Sequence, residues 1–336
     1  MLESRSLPSA AGSSIMGYGT GDPWIVTGAD AGSPPVVHVY DAASGTLLNQ
    51  FDAYDPRFEG GVRVALEQGN SSFPRVITAP GPGGGPDIRV FNGLTGVLIS
   101  EFDAYDPGFA GGVWVAAGQD ALEAGPALPT IITGAGPGGG PHVRVFTEAG
   151  VELEGFYAYD QSFSGGVRVA AGTLSTSLRP VPGHAMSDII TAAGPGGGPH
   201  VKVFDGIDLH VKDSFMAYDP AFSGGVFVAA GDINGDGSID IITGAGPGGG
   251  PHVKVFSGLD GSLLQSFMAY NPGFAGGVRV GFVSDLNANG AGEIITGAGP
   301  GGGPHLRVLD GLTLQELDGF YAYNPSFTGG LFVGGN

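Results

Sequence analysis

The clearest chemical spacing in the chain is Asp232-x-Asn234-x-Asp236-Gly-x-x-Asp240. Oxygen-bearing side chains fall at alternate positions, and Gly237 stands where the chain must turn sharply. Hard Ca²⁺ takes six to eight oxygens, one of them a backbone carbonyl, and this run offers that donor set. The competing reading is an Asx-rich turn, whose side chains accept from their own backbone. A strand-type run, Ile241-Ile242-Thr243, follows at once, so a loop that ends in a helix with a distant glutamate does not fit. Asp285-x-Asn287-x-Asn289-Gly-x-x-Glu293 keeps the spacing with a poorer ligand set, because Asn289 and Glu293 replace aspartates. It is expected to hold the same ion more weakly.

His142, His200, His252 and His305 are the next candidates. Each sits in a different copy of a repeated stretch. A zinc site needs its nitrogens about 2.0–2.1 Å from one ion, and histidines spread over repeats do not converge that way. Packing or hydrogen bonding is the expected role. The functional alternative is a pocket in each repeat beside Tyr105, Tyr159, Tyr218 and Tyr270. An apolar face with a few placed polar groups would suit a sugar. Gly134, Gly136 and Gly139 spell G-x-G-x-x-G, but Pro141 and a β-type run follow where a dinucleotide site needs a helix. No Ser-His-Asp set or carboxylate pair interrupts the repetition, so an enzyme is not expected.

One further set is periodic. In each Gly-Gly-(Val/Leu)-x-Val run the variable residue reads Arg63, Trp114, Arg168, Phe227, Arg279 and Phe332. Cation and aromatic alternate strictly. If these six side chains meet on one axis, each guanidinium should lie against a neighbouring ring within about 6 Å. The alternative is that each residue fills its own gap and the alternation is coincidence.

Thirteen basic residues against thirty-two acidic ones give a net charge of −19. That is the reverse of a nucleic-acid-binding footprint. The absence of cysteine excludes disulfides and thiolate metal sites. No apolar run reaches the length of a membrane span. Glycine (66) and proline (25) make up more than a quarter of the 336 residues. Without a period, that share would point to disorder.

A period exists, and it sets the architecture. Thr133-Gly-Ala-Gly-Pro-Gly-Gly-Gly-Pro-His-Val-Arg-Val-Phe146 returns at Thr191, Thr243 and Thr296. A drifted copy begins at Thr78 and a worn one at Thr27, giving steps of 51, 55, 58, 52 and 53 residues. Phe-x-Ala-Tyr-(Asp/Asn)-x-x-Phe-x-Gly-Gly-(Val/Leu)-x-Val repeats in step, from Phe51, Phe102, Phe156, Phe215, Phe267 and Phe320. Each unit holds four short runs rich in Val, Ile, Phe and Tyr, bounded by Gly, Pro, Asn or Asp, which is the strand signature. No stretch carries a capped 3.6-residue period, so almost no helix is expected. Four antiparallel strands repeated radially make a β-propeller blade. The first unit begins at Trp24 without a preceding Gly-Gly-Val strand, and the chain finishes on Gly329-Gly-Leu-Phe-Val-Gly334. That strand can pair beside Trp24–Thr27 and close an all-β ring of six blades. Residues 1–20 are expected to be a flexible tail and 21–336 a single domain.

Gly231-Asp-Ile-Asn-Gly-Asp-Gly-Ser-Ile-Asp240-Ile-Ile-Thr-Gly resembles the FG-GAP/VCBS repeat of integrin-α-like β-propellers. The Gly-Pro-Gly-Gly-Gly-Pro-His-Val-Lys-Val-Phe units are similar to those of repeat-rich bacterial surface proteins. The blade pattern spans nearly the whole chain, whereas the calcium loop is matched well only once. The resemblance implies a secreted or cell-surface bacterial propeller for adhesion, ligand binding or scaffolding, with calcium in some blades. A glycan or protein partner and a monomeric domain are expected. The alternatives are a lectin with pockets between blades and, further off, a propeller-based polysaccharide lyase or hydrolase. The start, MLESRSLPSAAGSSIMG, lacks a signal-peptide core, so no leader for such export is evident.

Overall fold

The computed structural model describes residues 23–67, 73–122, 128–174 and 184–336. The expected tail at 1–20 lies outside them. The described residues form six antiparallel sheets in a ring and no helix. Blade 1 consists of Leu331–Gly335, Trp24–Ala29, Val36–Asp41 and Thr46–Asp52, in that order from the axis. Blades 2 to 6 follow at 62–103, 113–157, 167–216, 226–268 and 278–321. The first strands of neighbouring blades contact one another all round the ring, which places them innermost.

Burial follows position in the blade. Four of the second strands, such as Asp240–Ala245, are buried along their whole length because both sheet faces meet a neighbouring blade, and those of blades 2 and 3 are exposed only at their outer ends. The fourth strands alternate toward solvent. In the third strand of blade 3, Val143 and Val145 pack with Val167 and Val169 of blade 4, while Phe146 packs back on Phe102 of blade 2. Period-two alternation thus fastens one strand to both neighbours. Blade 3 gains a fifth strand, His184–Met186, which pairs with the outer half of Val113–Leu122. It comes from the long connection inside blade 4, which carries no periodic signal.

One face of the ring is a belt of backbone. Each Gly-Pro-Gly-Gly-Gly-Pro loop donates to the linker before it and the linker after it. Gly136 N–H bonds the Gly112 carbonyl at 2.9 Å, and Gly138 N–H bonds that of Ser164 at 2.9 Å. The pattern runs through all six blades, with Gly32 and Asp30 serving in blade 1. The approach is too close for a side chain. A Cβ at Gly136 would lie 2.1 Å from the Gly111 carbonyl oxygen, and one at Gly81 1.9 Å from that of Gly60.

Closure runs through the last strand. Thr27 pairs with Val333 and Val26 with Gly334, and Trp24 N–H donates to Asn336 Oδ1 at 2.7 Å. Deleting residues 329–336 would leave Trp24–Ala29 as an unpaired edge with buried amides unsatisfied. A steep loss of the thermal unfolding midpoint is the expected result. An unchanged midpoint would show that the seam contributes nothing.

Candidate functional site

The six periodic residues meet on the axis, because each is the second residue of an innermost strand and points away from its flanking valines. The Arg63 guanidinium lies 3.7 Å from the Trp114 ring centroid. Arg168 lies 3.8 Å from Phe227 and 5.2 Å from Trp114. Arg279 lies 5.1 Å from both Phe227 and Phe332. Trp114 makes edge contacts with Phe227 and Phe332 at 5.7 and 5.6 Å. The three arginines are only 5–6% exposed. Burial pushes Arg63 and Arg168 down to about 9, and Arg168 is lowered further by Arg279 and Arg63. Each remains a cation at neutral pH. Arg279 is paired with Asp30, a residue standing where all five other blades have a glycine. The six side chains and the valines beside them line a small cavity of about 60 Å³.

The invariant tyrosines bond across the blade interfaces. Tyr105 OH donates to the His142 carbonyl of the next blade at 2.9 Å and meets Thr133 Oγ1 at 3.1 Å. Tyr159 bonds the carbonyls of Thr191 and His200, Tyr218 those of Thr243 and His252, and Tyr270 that of His305. Tyr54 and Tyr323 do the same, the latter across the seam to Val36. Burial pushes these hydroxyls well above their ordinary range. The histidines stay in separate blades and do not converge. His142 stacks on Tyr157 at 4.7 Å, and His200 and His252 bond Ser214 and Ser266. His305 lies 5.1 Å from Tyr321. All four rings are half-buried and lowered from their usual value, first by that burial.

A cation accompanies five of the six tyrosines. Arg89, Arg144, Lys202, Lys254 and Arg307 donate to the alanine carbonyl of the preceding blade's Phe-x-Ala-Tyr. Blade 1 has His38 at this position. Its Nδ1 bonds the Ala322 carbonyl at 2.8 Å, and its ring lies 4.5 Å from Tyr323. Burial lowers it to about 4 against that hydrogen bond.

The acidic loops are tied to their own backbone. Asp232 accepts from the amides of Gly235 and Gly237 at 2.8 Å, and Asp236 from that of Ser238 at 2.8 Å. Asn234 Nδ2 donates to Asp236 at 2.8 Å. Asp240 accepts from Ile233 and Gly258. Burial pushes it up to about 6, with Asp236 and Asp232 adding to the rise. Among the described residues, these three carboxylates are not brought within 4.8 Å of one another. The donor chemistry suits calcium, but in this arrangement the loop is an Asx-tied turn. In the second loop, Leu286 N–H donates to Glu293, and the amides of Asn289 and Gly290 bond Asp285. Asn287 and Asn289 turn their Nδ2 groups onto Asp310. Burial pushes Glu293 up to about 7.

The spacing of the motifs did not reveal Asp30, Asp310, or the trio of half-buried Asp205 with exposed Asp208 and His210. Asp30 had a signal, since it breaks the glycine pattern of the repeat. The trio sits in a hairpin turn without alternate spacing.

No family model matches the chain, and no curated protein matches it. Solved structures do. A protein of unknown function from Bacteroides caccae aligns over 93% of this chain and 98% of its own, at 9% identity and a TM-score of 0.56. Apo AztD from Citrobacter koseri covers 94% and 98% at 12% identity and a TM-score of 0.46. The Dos1 propeller covers 86% and 65% at 14% identity and a TM-score of 0.44. The fold class is a six-bladed all-β propeller; identities this low speak to fold alone.

Two outcomes follow from the blade interfaces. Tyr159→Phe removes a hydroxyl bonded to the carbonyls of Thr191 and His200 and should cost about 1–3 kcal/mol, read by denaturant unfolding. A change near zero would mean the hydroxyl does not hold blades 3 and 4 together. His38 has a folded pKa below its unfolded value, so its contribution is complete above about pH 6.5 and is lost as pH falls toward 4. The loss amounts to at most about 3 kcal/mol. His38→Gln keeps a donor for Ala322 and removes the titration, so its stability should fall less between pH 7 and pH 5. Equal falls in both proteins would exclude His38 as the cause.

Proposed function

We propose that this chain is a non-enzymatic binding or scaffolding propeller of the FG-GAP/VCBS kind, acting at a bacterial cell surface or outside the cell. One observation carries the reading. The repeated tyrosine hydroxyls and third-strand cations are spent on the neighbouring blade, while the outer strands present apolar side chains that differ from blade to blade. Val97, Leu98 and Ile99 of blade 2 are 61%, 42% and 41% exposed, and Val151, Leu153 and Tyr157 of blade 3 are also exposed. Exposed apolar side chains gathered on one strand edge suit a protein or glycan partner. The lectin alternative would need pockets between blades, where the tyrosine hydroxyls are already engaged.

The test is binding to immobilised extracellular polysaccharides and matrix proteins, with an assay for released sugar ends in parallel. Saturable binding without turnover is expected, weakened tenfold or more by Leu98→Lys with Leu153→Lys. Release of sugar would restore the lyase or hydrolase reading. Glycan binding abolished by His200→Ala but untouched by the outer-strand changes would restore the lectin.

Calcium belongs to this proposal as a stabiliser of the Asp232–Asp240 loop. Asp232 and Asp236 crowd Asp240 with like charge, which a bound cation would relieve. Anything bound only by the folded state raises stability by mass action. EDTA should lower the thermal midpoint, calcium should restore it, and Asp236→Ala should remove most of the difference. Calcium titration with no heat and no shift in the midpoint would remove the ion from the account.

A further inference from the structure

We propose that the axial cavity is a binding site for one small tetrahedral oxyanion, of the inorganic phosphate or sulfate class. Its walls carry three guanidinium groups and no carboxylate; the nearest, Asp30, pairs with Arg279 from beyond the lining. Arg63, Arg168 and Arg279 are each more than nine-tenths buried. In each of them both Nε and Nη1 lack a hydrogen-bond partner. Buried donors left unpaired are costly, and buried charges are ordinarily paired. Asp30 pairs with Arg279 and offsets one of the three charges. Two cationic charges remain uncompensated inside a protein whose net charge is −19.

The aromatic rings do not remove this imbalance. Trp114, Phe227 and Phe332 attract the guanidinium faces through their π-systems, which leaves the N–H edges without acceptors. Their contribution is positional. Arg168 and Arg279 each lie between two rings and Arg63 against one, at 3.7–5.2 Å, which holds the three planes in fixed orientations. A guanidinium fork held in plane is the natural partner of an oxyanion edge, to which it donates two parallel bonds.

Size and charge narrow the ligand. The cavity has about 60 Å³ on a measure by which one water needs roughly 10–15 Å³. It therefore has room for more than a single water or halide and falls far below the 300 Å³ or so of a pocket for a drug-sized molecule. A dianion balances the two remaining charges, and four oxygens offer enough lone pairs for three forks. Water could satisfy the donors but would leave the charge.

The experiment is equilibrium dialysis and calorimetric titration of the purified protein with inorganic phosphate and with sulfate at constant ionic strength. Chloride and phenyl phosphate serve as further probes. One phosphate or sulfate per chain is expected to bind saturably, and the thermal midpoint should rise with ligand at concentrations too low for general salt effects. Phenyl phosphate should bind at least tenfold more weakly, because one of its four oxygens is esterified and no longer accepts fully from a guanidinium fork. Arg168→Met should weaken binding at least tenfold. Should that variant not fold, Asp30→Asn tests the same site with the opposite sign, since removing the competing carboxylate should tighten phosphate binding severalfold. No saturable binding by 10 mM would overturn the proposal, as would chloride binding equal to phosphate. Phenyl phosphate binding as tightly as phosphate would place the ion elsewhere, and so would an affinity unmoved by Asp30→Asn.

Discussion

The rest of the structure depends on how closely the backbones of neighbouring blades approach along the glycine belt. Two N–H···O bonds per loop join each blade to the linkers on either side, and in five of the six blades the first of them forms at a glycine where a Cβ would not fit. The phenylalanine before each Gly-Gly lies directly on these glycines. A Cβ at Gly60 would sit 2.4 Å from the Phe58 ring, and one at Gly84 2.6 Å. Glycine at positive φ, as at Gly83 and Gly85, then turns the loop at no steric cost. A glycine content that would otherwise mean disorder is here the condition for the ring. With the belt set, the blade-to-blade angle is set, and the six innermost strands must converge.

That convergence separates residues that build from residues free to act. Anything repeated six times answers a need that arises six times. The tyrosine hydroxyls, the third-strand cations and the belt amides all satisfy a carbonyl of an adjacent blade. Function then belongs where the repeat is broken or where the blades share one space. The axis is the shared space. The outer strands and the loops on the face opposite the belt are where the blades differ.

Much of this was legible in the chain because it is periodic. The strands, their number, the closing role of the last one and the meeting of Arg63, Trp114, Arg168, Phe227, Arg279 and Phe332 all follow from counting positions. Side-chain direction across blades does not. Tyr159 reads equally well as a pocket wall or a fastener until the carbonyls of Thr191 and His200 are seen within reach. Asp232 and Asp236 read as cation ligands from their spacing, yet spacing cannot say whether their oxygens face an ion or the amides of Gly235, Gly237 and Ser238. The strand at His184–Met186 had no periodic pattern to announce it, since its partner lies in another blade's sheet.

The seam shows how departures from a repeat can compensate one another. Elsewhere a half-exposed cation caps the alanine carbonyl; Arg144 and Arg307 keep about a quarter of their side chains in solvent and lean on Glu152 and Glu316. At the seam the equivalent position is buried. A neutral histidine supplies the hydrogen bond without the desolvation cost of a charge. The belt in blade 1 is worn as well, with Asp30 in place of glycine, and its amide bond to Gly330 lengthens to 3.2 Å. The same change brings a carboxylate to the mouth of the axis, where Arg279 lies. Losing one tight glycine contact at the joint thus allows one of the three axial cations to be paired, while Arg63 and Arg168 keep both Nε and Nη1 without a protein acceptor.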